Sequence, residues 1–147
     1  MIIFGAQFIW PTASNDQSGT GKFVAMPLAG VRMSLPEISN GSFFLPYFRY
    51  ETSYAGSSQR NNISKLEFAP MVNIMLPAKM FTVLWSSPEI AFDYMQDAWT
   101  FPLNFMVGKM FTDKIVGSAE FFIPMFEDKN YVRPYDFKME FRIGFFF

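Results

Sequence analysis

Phe137-Lys138-Met139-Glu140-Phe141-Arg142-Ile143-Gly144-Phe145-Phe146-Phe147 decides how the rest of the chain is read. Phe137, Met139, Phe141, Ile143, Phe145 and Phe147 fall on one face of an extended strand, and Lys138, Glu140, Arg142 and Gly144 on the other. A period of two separates the sets; the 3.6-residue period of a helix would mix them. Upstream, Leu66, Phe68, Val72, Ile74 and Leu76 oppose Lys65, Glu67, Asn73 and Met75. In the same way Phe44, Phe48, Tyr50 and Tyr54 oppose Arg49, Glu51 and Ser53, and Ile115, Phe121 and Ile123 oppose Ser118 and Glu120. Turn-forming clusters rich in Gly, Ser, Asn, Asp and Pro divide the chain into eight such segments, near 2–10, 22–34, 43–54, 63–76, 80–94, 99–111, 115–126 and 137–147.

Composition narrows the class. The chain has 147 residues, enough for one domain, 1–147. It is 50% hydrophobic and 20% aromatic, yet holds no uninterrupted apolar run of the ~18 residues that a membrane-spanning helix needs. With 17% charge and 20 Phe it has ample apolar surface to bury, which excludes disorder. Twelve basic against 13 acidic residues leave no electrostatic footprint for nucleic acid. Cys and His are absent, which removes disulfides, thiolate chemistry and the commonest metal ligand and general base. No metal or other cofactor is expected. Met1-Ile2-Ile3-Phe4-Gly5 begins directly in a strand-like pattern, without the basic and apolar regions of a secretory signal, as expected of a mature chain or a fragment.

An alternating sheet faces its apolar side inward in a soluble sandwich and outward in an outer-membrane barrel. Three features favour the second. The segments run about 10 to 12 residues, the length of a tilted membrane strand, whereas soluble strands average about 5 or 6. Aromatic residues recur at segment ends, at Trp10, Tyr54, Tyr94, Trp99 and Phe147. Charges inside the segments keep to the polar register: Arg32, Arg49, Glu51, Lys65, Glu67, Glu89, Asp93, Glu120, Lys138, Glu140 and Arg142. Lys109 alone falls on the apolar register, near a turn from which it reaches the interface. The fold expected is an all-β antiparallel transmembrane barrel with about eight strands in this chain, alone or as part of a larger barrel. The short connections 77–79 and 112–114 belong to its periplasmic side, and the longer ones 11–21, 55–62 and 127–136 to its outer side.

Two stretches resist this reading. Ser86-Ser87-Pro88-Glu89 has the form of a helix start, and Ile90, Ala91, Tyr94, Met95 and Ala98 fit a helical stripe as well as a strand. Pro27, Pro46, Pro70, Pro88, Pro102 and Pro124 fall inside expected strands, where bulges or strand ends are anticipated.

Trp10-Pro11-Thr12-Ala13-Ser14 with Gly19-Thr20-Gly21-Lys22, then Trp99-Thr100-Phe101-Pro102-Leu103-Asn104 with Val107-Gly108-Lys109, and a final strand ending in Phe147 resemble the outer-membrane transporters of the phenol meta-pathway family. The resemblance covers nearly the whole chain but only the C-terminal part of such a protein. It implies a barrel in the bacterial outer membrane, with a channel role for small molecules, aromatic or hydrophobic ones among them. It supplies no catalytic residues.

The eleven charges of the polar register are five basic and six acidic, a balance suited to ion pairs filling a narrow interior. A polar path lined by Arg32, Arg49, Arg142, Glu67 and Glu120 is the functional alternative. Met26, Leu28, Met71, Met75, Met106 and Met110 point the same way by parity, as do Phe122, Phe126 and Phe146. Gly19-Thr20-Gly21-Lys22 lacks the upstream Gly of a phosphate-binding loop, and Asn15 and Asp16 make a poor Ca²⁺ site. Without His, the chain is not expected to be an enzyme. The expected function is a passive outer-membrane channel of porin-like type in a Gram-negative envelope. A non-conducting structural or interaction barrel is the alternative. The expected partners are membrane lipids, the outer-membrane insertion machinery acting on the C-terminal strand that ends at Phe147, and a homo-oligomer or larger assembly.

Overall fold

The computed structural model describes residues 1–11, 21–86, 90–127 and 136–146. Among them are ten strands and no helix: β1 (Ile2–Ile9), β2 (Lys22–Val31), β3 (Met33–Ser34), β4 (Phe43–Gly56), β5 (Ser64–Leu76), β6 (Met80–Leu84), β7 (Ile90–Asp93), β8 (Ala98–Met110), β9 (Ile115–Glu127) and β10 (Lys138–Phe145). All belong to one antiparallel sheet in the order β1-β2-β4-β5-β6-β8-β9-β10, with β3 continuing the line of β2 and β7 that of β6. The eight expected segments are therefore eight sheet positions, two of them interrupted. Pro88, Glu89, residues 12–20 with their turn and ligand motifs, most of the 127–136 connection and Phe147 lie outside the described residues.

The prolines explain the interruptions. Residues facing each other across an antiparallel pair alternate between exchanging hydrogen bonds and exchanging none. Ser53 donates to the Ile63 carbonyl, so the odd residues of β4 are the bonded set toward β5, and the opposed Pro46 and Pro70 meet at an unbonded site. The amide that each lacks would point to its other neighbour. For Pro46 that is the break between β2 and β3, and for Pro70 the break between β6 and β7. Pro102 and Pro124 repeat the arrangement, with Pro102 facing the β6/β7 break from its other flank, beside a register shift at Phe101/Pro102. Pro27 coincides with a gap in the β2–β4 ladder. No proline in these strands removes a bond that the sheet makes.

The helical alternative for 86–98 is not adopted. β7 is a strand, and a turn at 94–97 follows it, held by Asp93 Oδ1 accepting from the amides of Met95 at 2.8 Å and Gln96 at 3.2 Å. Nor is 80–94 one continuous strand, because Pro70 and Pro102 leave residues beyond Leu84 without a ladder on either side.

A single layer has no second sheet to cover it, so side chains become buried only where the sheet curls over its own face. Tyr47 on β4 and Glu120 on β9 stand four positions apart, about 19 Å in a flat sheet. Both reach Ser86, which follows β6 midway between them. The face so enclosed is the polar one. Phe81 lies across Gly108 there, its ring 2.2 Å from where a Cβ would stand. The opposite face leaves Phe4, Phe8, Phe48, Phe141, Ile143 and Phe145 exposed. The molecule exposes 9550 Å², against about 7700 Å² for a soluble monomer of this mass.

At one end of the sheet, the Pro77-Ala78-Lys79-Met80 turn meets the 112–114 connection through Lys79 Nζ and Asp113 Oδ1, 2.7 Å apart. The ammonium holds the Asp113 carboxyl below its ordinary range. The two short connections expected on one side thus do share an end. At the other end, β2 and β4 finish against each other, and Gly56 adopts φ +121° with the Gly21 carbonyl oxygen 2.5 Å from where a Cβ would stand. Gly56→Ala therefore meets backbone and an unfavourable φ together, and is expected to destabilise the fold by about 1–3 kcal/mol in urea unfolding; an unchanged midpoint would contradict the geometry.

Candidate functional site

Pairing registers assign every strand residue to a face. Arg49 stands opposite Glu67, Glu51 opposite Lys65, Lys65 opposite Asp93, Glu140 opposite Glu120, Lys138 opposite Phe122 and Arg142 opposite Ser118. Arg32 lies over the Phe43 ring on that same face, 4.3 Å from its centroid. Ten of the eleven charges expected on the polar register are thus brought together on one face, and Glu89 lies outside the described residues. Met26, Leu28, Met71, Met75, Met106 and Met110 share it. Phe126 does not. The register shift beside Pro102 sets Phe126 opposite Phe101 on the apolar face, where it is exposed. Lys109 stands on the apolar face as expected, opposite Met80 and Gly117 near the end of β8.

Two charged clusters form. In the first, Arg49 Nε donates to Glu67 Oε2, while Lys65 Nζ lies 3.6 Å from Asp93 Oδ2. Lys22, which the strand pattern does not single out, adds a hydrogen bond to Asn62 Oδ1 at 3.0 Å. Beside Lys65 and Asp93 opens a cavity of about 420 Å³, lined also by Asn61, Asn62 and Gln96.

The second cluster centres on Glu120, whose side chain is fully buried. Arg142 Nη2 stands 2.5 Å from Glu120 Oε2 and 2.7 Å from Glu140 Oε2, and Lys138 Nζ completes the row 2.7 Å from Glu140 Oε1. Lys138 also covers the Phe122 ring at 4.2 Å. On the other side of Glu120, Asn104 Nδ2 donates to Oε1 at 2.8 Å. The Ser86 hydroxyl lies between that oxygen and Asn104 Oδ1, 2.7 Å from the latter. Tyr47 Oη reaches the Ser86 carbonyl at 3.4 Å.

Ser86 gains this position from the β6/β7 break. Trp85 takes φ 48°, and its amide and indole donate to the Asn104 and Pro102 carbonyls, so the chain leaves the line of β6. Tyr47 and Asn104 lie on the polar register and were open to a parity argument that carried neutral residues as well as charges. Ser86 was not, since nothing in Ser-Ser-Pro-Glu shows that its neighbours withhold their amides.

Chemically, the face is nearly balanced. Arg32, Arg49, Lys65, Lys138 and Arg142 stand against Glu51, Glu67, Asp93, Glu120 and Glu140, and Lys22, buried on the same register as Val24 and Met26, adds a further cation. Among the described residues no group of three or more acidic side chains is disposed to hold a metal ion. Comparisons with protein-family models, with curated proteins and with solved structures yield no match to this chain.

Because Glu67 is buried and Arg49 largely so, Glu67→Gln leaves a guanidinium without its countercharge. A double-mutant cycle with Arg49→Met and Glu67→Gln, read by chemical unfolding, is expected to return a coupling of about 0.5–3 kcal/mol. A coupling of zero would show that the pair is not held together in the folded chain.

Proposed function

We propose that the chain forms the wall of a bacterial outer-membrane β-barrel, with its apolar face against lipid and its charged face toward an interior that passes small molecules, aromatic and hydrophobic ones among them. The observation that carries this reading is the inversion of the sheet: charge is enclosed, and Phe, Ile and Leu are left outside. Water would make that arrangement costly over so large an area, whereas hydrocarbon makes it the favourable one.

Further features support it. β4, β5, β8 and β9 run 13 or 14 residues, long enough to cross a bilayer when tilted. Trp and Tyr collect in two groups of edge-to-face and tilted rings near one end of the sheet: Trp10, Phe23 and Tyr54, then Tyr50, Tyr94, Phe92 and Trp99. Such amphipathic rings favour the membrane interface. Lys109 stands at the opposite end, where its stem can follow the apolar face and its ammonium can reach water.

Transport here needs no chemistry from the protein beyond a lined path. With five charges of each sign and Lys22 besides, the path discriminates only weakly between anions and cations, and the inward Met side chains give it an adaptable apolar component. The alternative is a barrel that conducts nothing. It is favoured by one observation, the Tyr47–Ser86–Asn104–Glu120 chain of contacts, which fills the interior across the face.

Two measurements test the proposal. Phe141→Arg or Ile74→Arg near mid-membrane should cost about 2–4 kcal/mol of folding free energy in bilayers, and Met75→Arg on the enclosed face distinctly less; the reverse ranking would turn the sheet inside out. In planar bilayers the reconstituted chain should give steady conductance with a reversal potential near zero in a salt gradient. Silence would favour the non-conducting barrel, and strong selectivity for one sign would contradict a balanced lining.

A further inference from the structure

The two sheet edges are complementary to each other in hydrogen-bond phase and in side-chain face. Met1 and Arg32 exchange bonds, the Met1 amine donating at 2.9 Å and the Arg32 amide at 2.8 Å, so the odd residues of β1 are the bonded set toward β2. The backbone groups of Ile2, Phe4, Ala6 and Phe8 therefore point away from the sheet. At the far edge Phe146 donates to Lys114 at 2.8 Å, which makes the even residues of β10 the bonded set toward β9. Met139, Phe141, Ile143 and Phe145 then turn their backbone groups outward. Each edge offers four amides and four carbonyls, and at both edges they belong to the residues of the apolar face. β1 and β10 are eight residues long and run in opposite directions. Setting Ile2, Phe4, Ala6 and Phe8 against Phe145, Ile143, Phe141 and Met139 satisfies all of these groups, and it continues both faces without a break.

Within one chain this seam is not made. Among the described residues β1 contacts β2 alone and β10 contacts β9 alone. The polar face is correspondingly open beside the edges, where Gln7 is exposed and the Arg142 side chain is 48% exposed, while Glu120 between them and the sheet centre is fully buried.

We propose that a second copy of this chain completes the sheet, with β10 of each copy pairing antiparallel with β1 of the other. The inference rests on the barrel reading above and names the partner that closes it. A ring of such chains uses both edges of every copy, and two copies are the smallest ring beyond a single chain. Eight sheet positions per copy give a ring of sixteen strands, an even number that preserves antiparallel pairing at both seams. A ring of about that size leaves an aqueous interior, where eight strands are filled by their own side chains.

The absence of native Cys makes a direct test possible. Chains carrying Ala6→Cys and chains carrying Phe141→Cys, with different affinity tags, are mixed before reconstitution into phospholipid vesicles and then oxidised. The expected product is a disulfide-linked pair carrying both tags. Phe8→Cys with Met139→Cys should give the same result, which guards against one variant failing to fold. A pair formed by Ala6→Cys chains alone would place β1 against β1 and overturn the proposal. So would a double variant that closes its disulfide within a single chain, or a vesicle-inserted protein that yields no disulfide from either set. Those results leave the barrel reading intact as long as the chain inserts and the Phe141→Arg penalty is seen; loss of both insertion and penalty defeats that reading itself.

Discussion

A sheet with no helix and no second sheet packed on it can bury side chains only against itself, and what this sheet encloses is charge. Cations and anions share one face in nearly equal number, and the pairs Arg49–Glu67, Lys65–Asp93 and Arg142–Glu120 bind neighbouring strands across it. Enclosing ions is costly unless each has a partner and its remaining lone pairs are met. Glu120 has the Arg142 guanidinium beside Oε2 as its countercharge, and Asn104 and Ser86 meet Oε1. The curl of the sheet and the pairing of its charges thus depend on each other: the pairs make enclosure tolerable, and the enclosure strengthens the pairs.

The prolines act through the same accounting, applied to the backbone. Opposed prolines at 46/70 and 102/124 lose nothing between themselves, because their shared site exchanges no bonds. The loss is displaced onto the next strand, and two such losses converge on the stretch after Leu84 from both flanks. That stretch is free to turn at Trp85 and deliver Ser86 to Asn104 and Glu120. A defect in the ladder is in this way the means by which a polar group reaches the enclosed face.

Sequence alone carries the assignment of residues to faces far, and pairing far less. Alternation placed all ten described charges correctly, because a period of two survives small errors in strand ends. Partners depend on register, which turns and bulges set over long distances. Lys65 accordingly belongs with Asp93, not with the glutamates that parity makes equally available. Phe126 was misplaced for the same reason, since one residue of shift beside Pro102 exchanges the two faces for everything beyond it. The interruption after Leu84 was hidden more deeply. It is specified by Pro70 and Pro102, which lie 15 or more residues away along the chain and become its neighbours only once the sheet is formed. An alternating final strand could be read from the sequence itself, and the structure has it at Lys138–Phe145; whether it meets another strand depends on a partner that no local pattern names.

The agreement between edge bonding and face at β1 and β10 follows from the even number of sheet positions, because the set of residues that bonds toward the next strand changes face at every strand. A strand edge can present its free amides from apolar-face or polar-face residues, and which set it presents is decided by the phase of its single neighbour. β1 takes its phase from β2 and β10 from β9, at opposite ends of the sheet. With an odd number of positions the two edges would present opposite faces, and joining them would set apolar residues against polar ones or leave the amides facing no acceptor. Both edges present the apolar set, so the proposed seam would satisfy the backbone and, in a bilayer, would also keep lysine, glutamate and arginine out of hydrocarbon. In a bilayer these two requirements are inseparable, since an unpaired amide and a lipid-facing charge each cost several kcal/mol.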